Sequence, residues 1–207
     1  MGAINTPDRL TRSLAAIDAA NGEDPNREQW EGAEHPKELL YARRMSAWLS
    51  RLDPQPSEAR RLAARAQHVR RWQVPRASYS MDREGYLRWR KYLYRFHGEQ
   101  AEAILQAEGY DEETIVAVKR MLGKQGVKRD PDVQVIEDAA CLVFLQYYLE
   151  PFVAGKEQDQ LVDILRKTWK KMSEQARDLA LTLDFPPAIA AVLSIARAAG
   201  AEPESSV

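Results

Sequence analysis

The 207-residue chain reads as an all-α protein, a single compact helical bundle. Three observations predict this. Apolar residues recur at every third or fourth position in each long segment, the spacing of a helix with one buried face. No segment sustains the period-two alternation of a half-buried strand. Between the periodic segments stand short runs of cap and turn residues, such as NGEDPN and DPQPS, with no internal repeat and no low-complexity tract.

The elements follow in order. TPDRLTRSLAAIDAAN opens with Thr6 as cap and Pro7 at the first helical position, and NGEDPN ends it. HPKELLYARRMSAWLSRL carries Tyr41, Met45, Trp48 and Leu52 on one stripe. After the DPQPS turn, SEARRLAARAQHVRRW reads as one helix from Ser57 to Trp72. Leu62, Ala66 and Val69 form its buried stripe, and Arg61, Arg65, His68 and Trp72 share the flank beside it, with His68 and Trp72 neighbours at a spacing of four. QVPRASYS is a loop. MDREGYLRWRKYLYRFHGEQAEAILQAEG reads as one long helix, or two that break near His97-Gly98. Its aromatics interleave with cations, as in single-strand nucleic-acid binders. At helical spacing, however, Tyr86, Trp89, Leu93 and Phe96 make one core stripe. YDEETIVAVKRML is amphipathic. Asp130-Pro131 starts VQVIEDAACLVFLQYYL, which is apolar nearly all round and so reads as the central helix. A helix from Gln158 to Lys171 and one or two more close a domain spanning 1–200, and AEPESSV reads as a disordered tail over 201–207.

Composition narrows the function classes. Hydrophobic residues make up 44%, charged residues 29%, and the net charge is −1, so no global field draws the chain to nucleic acid or membrane. The longest apolar run, AACLVFLQYYL, is too short to span a bilayer, and no basic-then-apolar leader opens the chain; a cytoplasmic protein with no membrane partner is expected. The single Cys141 lies in an apolar run and reads as a small buried hydrophobe. No Walker loop, GxGxxG, GxSxG or CxxC is present, which sets aside P-loop, Rossmann, serine-hydrolase and zinc-ribbon chemistry.

Charge is uneven along the chain. From Arg43 to Arg95 there are thirteen Arg and one Lys against four acids. Guanidinium forks suit phosphate and carboxylate, so Arg65, Arg70, Arg76 and Ser78 are expected at an anion site, held open beside the alternative of local ion pairs. Glu137 and Asp138 stand near the start of the apolar helix. A carboxylate buried there must be paired or bind a cation, unless both stay at a solvated first turn. The three histidines, His35, His68 and His97, fall on or beside different helices, an order compatible with imidazoles and a carboxylate converging on a metal.

EHPKELLYARRMSAWLSRL, LAARAQHVRRW, FHGEQAEAILQAEGYDEETIVAVKRMLGKQG and IEDAACLVFL, in that order, resemble the HD-domain superfamily of metal-dependent phosphohydrolases. That resemblance implies an HD-like helical bundle. It implies His35, His68, His97 and Asp138 as metal ligands; if the chain is an enzyme, Lys124 or Arg71 is expected to neutralise charge that develops during phosphoryl transfer. The sequence departs from the pattern at Val69, where the Asp of the His-Asp pair would stand, at Lys124, near the place of a further histidine, and at the displaced Asp138. A divalent metal is therefore expected to bind weakly or partially. LAARAQHVRRWQVPRASYSMDREGYLRWR, IEDAACLVFLQYYLEPF and ILRKTWKKMSEQARDLAL are in turn similar to the domain-of-unknown-function family 4202, over about Pro7 to Ala199. The functional expectation is a domain that binds a phosphorylated small molecule, as a phosphohydrolase if it is an enzyme. The alternative is a non-catalytic module with a decayed metal site that binds an anion, a protein or RNA.

Overall fold

The computed structural model describes residues 7–153 and 157–200; the Thr6 cap and the 201–207 tail lie outside them. Among the described residues the fold is all-α but for one two-stranded hairpin, and no helix is long and apolar enough to cross a membrane. The chain divides into two compact units, Met1–Gly126 and Val127–Val207, where the sequence reads as one domain.

In the first unit, α1 (Arg9–Gly22) is capped by Asp8, whose carboxylate accepts from the Thr11 amide at 2.7 Å. Next come β1 (Arg27–Trp30) and β2 (Ala33–Pro36), antiparallel, with Glu28 opposite His35. The two turn residues, Glu31 and Gly32, both have positive φ (49° and 78°), as a tight two-residue hairpin requires. The buried Asp24 carboxylate accepts from the amides of Asn26 and Glu38 and so ties the hairpin to the start of α2 (Lys37–Leu52). As expected from the pattern, α2 buries Tyr41, Met45, Trp48 and Leu52.

Helix α3 (Glu58–Ala66), capped by Ser57, stops well short of Trp72. His68 and Trp72 are therefore not neighbours on a helix. No Gly or Pro interrupts the sequence there. Instead, side chains from elsewhere take over the backbone groups that further helix would use. His97 binds the Val69 carbonyl, Asn21 accepts from the Arg70 amide at 3.2 Å, and Arg70 turns left-handed at φ 53°. Two short 3-10 turns, Arg71–Gln73 and Arg76–Ser78, lead onward.

Helix α4 (Arg83–Ala107) runs 25 residues and does not break at His97-Gly98. Its start depends on Gly85: a Cβ there would lie 2.1 Å from the Ser80 carbonyl oxygen. Trp89, Leu93 and Phe96 are buried, whereas Tyr86, expected with them, is exposed. Helix α5 (Glu112–Leu122), capped by Asp111, packs against α4 and α3.

In the second unit, α6 (Pro131–Val143) begins with Asp130 as cap and Pro131 in its first turn, then passes through a π-helical stretch, Phe144–Tyr148, into α7 (Leu149–Val153). Helix α8 (Gln158–Lys171) packs on α10 (Pro187–Gly200), and α6 packs on α8 and α9 (Glu174–Leu181). Glu137 and Asp138 are both buried, not solvated. One Asp138 oxygen accepts from the Ser173 amide and from Gln134 Nε2, both at 2.8 Å, and Glu137 faces Lys171 Nζ at 3.7 Å. Cys141 is buried, as expected for a small hydrophobe.

Candidate functional site

The turn after α3 places His68 against α2. The Tyr41 ring stacks on the imidazole with centroids 3.9 Å apart and planes 12° apart. Glu38, one turn before Tyr41, brings Oε2 to 3.2 Å from His68 Nδ1. Arg71 Nη1 lies 3.2 Å from His68 Nδ1 and 3.5 Å from Nε2. A ring nitrogen cannot donate to one group and accept from another. The desolvated Glu38 carboxylate needs a donor, so Nδ1–H is assigned to Glu38 and the Nε2 lone pair faces Arg71.

From α4, His97 brings its ring to a centroid distance of 5.7 Å from His68. Its Nδ1–H donates to the Val69 carbonyl at 3.0 Å. That bond fixes the tautomer, so Nε2 carries the lone pair; it is buried and has no hydrogen-bond partner.

Burial governs the charges here. Desolvation, reinforced by His68 and Arg71, pulls the His97 pKa from 6.5 down to about 3. Desolvation and the Arg71, Lys124 and Lys37 charges hold His68 well below its ordinary value. Both imidazoles are neutral at pH 7. Burial raises Glu38 from 4.5, and Arg71 opposes that rise.

His68 and His97 line a cavity of about 250 Å³, with Arg71, Arg90 and Lys124 supplying positive charge and Gln67 a further polar wall. Trp89 and Leu93 close its apolar side. Lys124 is held at φ 52°, a left-handed conformation that costs a lysine energy. A larger groove of about 580 Å³ follows α4 and α5, but Arg95 and Lys119 on its walls are paired with Glu99 and Glu102.

The structure thus brings together four of the residues singled out from the sequence: His68, His97, Arg71 and Lys124. His35 stands on β2 and is not among the residues lining the cavity. Asp138 lies in the second unit, where its carboxylate is hydrogen-bonded as described. The other expected anion contacts have different occupations. Arg65 makes a forked pair with Asp18 at 2.6 and 2.7 Å. Arg70 donates to Gln100 and faces Glu23 at 3.8 Å. Arg76 sits 6.0 Å from the Trp89 ring centre but donates to the carbonyls of Tyr79 and Asp82. Ser78 is exposed in a 3-10 turn. Sequence reasoning missed Glu38, Tyr41 and Gln67. The first two had a signal, an acid three residues before an aromatic and so on the same buried face of α2.

His68 and His97 are the two metal-type donors lining this cavity, fewer than an HD-type metal site takes. Among the described residues no three His, Cys, Asp or Glu side chains gather as a metal site requires. Arg71 and Lys124 also place positive charge beside His68, against a cation.

The family model for the Domain of unknown function (DUF4202) matches residues 11–193. The chain belongs to the DUF4202 family. No curated protein and no solved structure matches it. The DUF4202 match runs from α1 into α10, so the histidine pocket and the buried Glu137-Asp138 pair both lie within the DUF4202 region.

Proposed function

We propose that this DUF4202 protein binds a small phosphate-bearing molecule in the cavity beside His68. One observation carries the reading. The half-buried Arg71 guanidinium lies against His68 and over the Trp89 ring, 5.1 Å from its centre, and makes no ion pair among the described residues, although the buried Glu38 carboxylate across His68 feels its charge. Arg44, Arg60, Arg65 and Arg88, by contrast, each hold an acid. A half-desolvated cation facing a cavity favours an anion, and a phosphate accepts two N–H bonds from one guanidinium fork. Lys124 adds a second charge, and the neutral His68, oriented by Glu38, leaves its lone pair toward Arg71.

The enzymatic form of this reading is hydrolysis of a phosphoester or phosphoanhydride, with Arg71 and Lys124 neutralising charge that grows on the phosphoryl oxygens. The meeting of His68 and His97, two members of an order that resembles the HD-domain pattern, supports that form. The lack of a three-donor cluster among the described residues supports the non-catalytic form, an anion-binding module. A weakly or partially held divalent metal is a second reading, favoured by the two imidazoles 5.7 Å apart in one cavity. Elemental analysis of untagged protein after mild chelation tests it, and well under one equivalent is expected. A cytoplasmic setting accords with all of these forms.

Titration calorimetry with inorganic phosphate tests the main reading. Binding by the native protein and its loss in Arg71→Ala are expected. No heat from phosphate at any accessible concentration rejects the reading.

A further inference from the structure

The His68 ring is held from two sides and open on a third. Tyr41 covers one face, and Glu38 takes the Nδ1–H at 3.2 Å. The Glu38 side chain is buried, but 20% of the His68 side chain stays open. That open part lies away from Tyr41 and Glu38, and His68 lines the cavity together with Arg71 and Lys124. An imidazole whose Nδ1–H is fixed on a buried carboxylate keeps its lone pair on Nε2, the arrangement of a histidine oriented for catalysis.

The Nε2 contact to Arg71 Nη1 is long, 3.5 Å, and a phosphate oxygen accepts from a guanidinium more strongly than a neutral ring nitrogen does. A phosphate on Arg71 therefore releases the lone pair and sits beside it. Attack needs nitrogen and phosphorus about 3–3.5 Å apart. Nε2 is already 3.5 Å from the guanidinium nitrogen that would hold the phosphate. The leaving group follows from the cavity walls. An alkoxide needs a proton, but among the described residues no Asp or Glu lines the cavity, and His97, with a pKa of about 3, is neutral at pH 7. The Lys, Arg and Tyr side chains there are weak acids. A carboxylate, by contrast, leaves without a proton. The donor that fits is an acyl phosphate, and a volume of about 250 Å³ favours a small one.

We infer that His68 Nε2 accepts a phosphoryl group from a small acyl phosphate bound on Arg71 and Lys124, forming a phosphohistidine. The Nε2 lone pair forms the N–P bond, the bond from phosphorus to the acyl oxygen breaks, and the carboxylate leaves with that electron pair. The Nδ1–H stays on the ring and on Glu38, a positioning residue whose charge balances the positive charge that the ring acquires. Water attack on the product finds no strong base on these walls, so the phosphohistidine accumulates. This rests on the phosphate reading above and adds the covalent step.

Acetyl phosphate is the probe. Native protein incubated with it, quenched in alkali and read by mass spectrometry should gain a single phosphoryl group, alkali-stable and acid-labile, which peptide mapping places on His68. His35, half-buried on the hairpin, should stay unmodified and serves as the internal control. His68→Gln should show no label, and Arg71→Ala should lose most of it. Glu38→Gln should be labelled at least about tenfold more slowly with its affinity for inorganic phosphate not weakened, a split that a merely structural role would not produce. No label on the native protein, label on His35 or His97 instead, or label undiminished in Arg71→Ala overturns the inference; where inorganic phosphate still binds, the phosphate reading stands. Failure of inorganic phosphate to bind, with no label, overturns the phosphate reading and this inference with it.

Discussion

The Nδ1–H of His97 donates to the Val69 carbonyl at 3.0 Å, and that bond joins the middle of α4 to the turn that ends α3. It fixes where α3 stops and holds His68 beside α2. Removing the donor leaves a buried carbonyl unsatisfied. His97→Leu should therefore cost about 1–3 kcal/mol of stability, measured by urea denaturation, and His97→Asn should cost less. Equal losses in the two variants would show that packing, not this bond, is what His97 supplies.

The two depressed histidines make stability depend on pH. His97 has a folded value of about 3 against 6.5 unfolded, and His68 moves in the same direction. Between those values the unfolded chain binds more protons than the folded one. The stabilisation is therefore complete above about pH 6.5 and is lost as pH falls, by roughly 1.4 kcal/mol per pH unit for each histidine kept neutral. Glu38 works the other way, because its folded value is raised, and it offsets part of the slope just above pH 4.5. Melting temperatures recorded from pH 7 to pH 5 should fall, and the slope should flatten in His97→Asn. A native protein with no slope in this range would mean that the histidines are not buried as neutral groups.

Lys124 keeps a left-handed backbone, φ 52°, at the cavity wall. Glycine adopts that conformation without strain. Lys124→Gly should stabilise the fold by about 0.5–1 kcal/mol, the strain relieved less the entropy that glycine gains in the unfolded chain, while weakening phosphate binding. Denaturation and calorimetry on the same sample read both effects. A variant that gains stability and keeps full phosphate affinity would remove Lys124 from the site.

Asp138 is expected to act on stability alone. Its carboxylate holds the Ser173 amide at the start of α9 and the Gln134 side chain. Asp138→Ala should cost about 1.5–3 kcal/mol, the usual worth of a hydrogen bond to a charged group, since the half-buried Ser173 amide loses its acceptor while Gln134 keeps the Lys171 carbonyl. Phosphate affinity per folded molecule should stay unchanged. Loss of affinity without loss of stability would return Asp138 to the binding site.

What could be read from the sequence was whatever repeats along one element. The stripe of Tyr41, Met45, Trp48 and Leu52, the Asp130-Pro131 start of α6 and the limits of α8 each follow from spacing or caps within one segment. The hairpin escaped because each strand has only four residues, too few for alternation to show. The end of α3 escaped because Asn21 and His97, distant in sequence, capture its backbone. For the same reason the basic stretch gave no hint of its partners: Asp18, Glu23 and Glu28 lie before it in the chain and neutralise Arg65, Arg70 and Arg44. The meeting of His68 and His97 was half legible, as an order of motifs. Its polar walls, Glu38 and Gln67, were not, because only the folded chain shows which polar side chains lose their solvent.

The central claim is that Arg71 is a cation kept for an anion. It is tested most directly by titrating inorganic phosphate into the native protein and into Arg71→Ala, with the denaturation midpoint of each recorded. Phosphate should bind the native protein, Arg71→Ala should lose about 1.5–3 kcal/mol of binding, the usual worth of a hydrogen bond to a charged group, and the two midpoints should lie close together. Equal phosphate affinity in both proteins, or an Arg71→Ala that no longer folds, would contradict the claim and make Arg71 a scaffold residue beside a packed histidine.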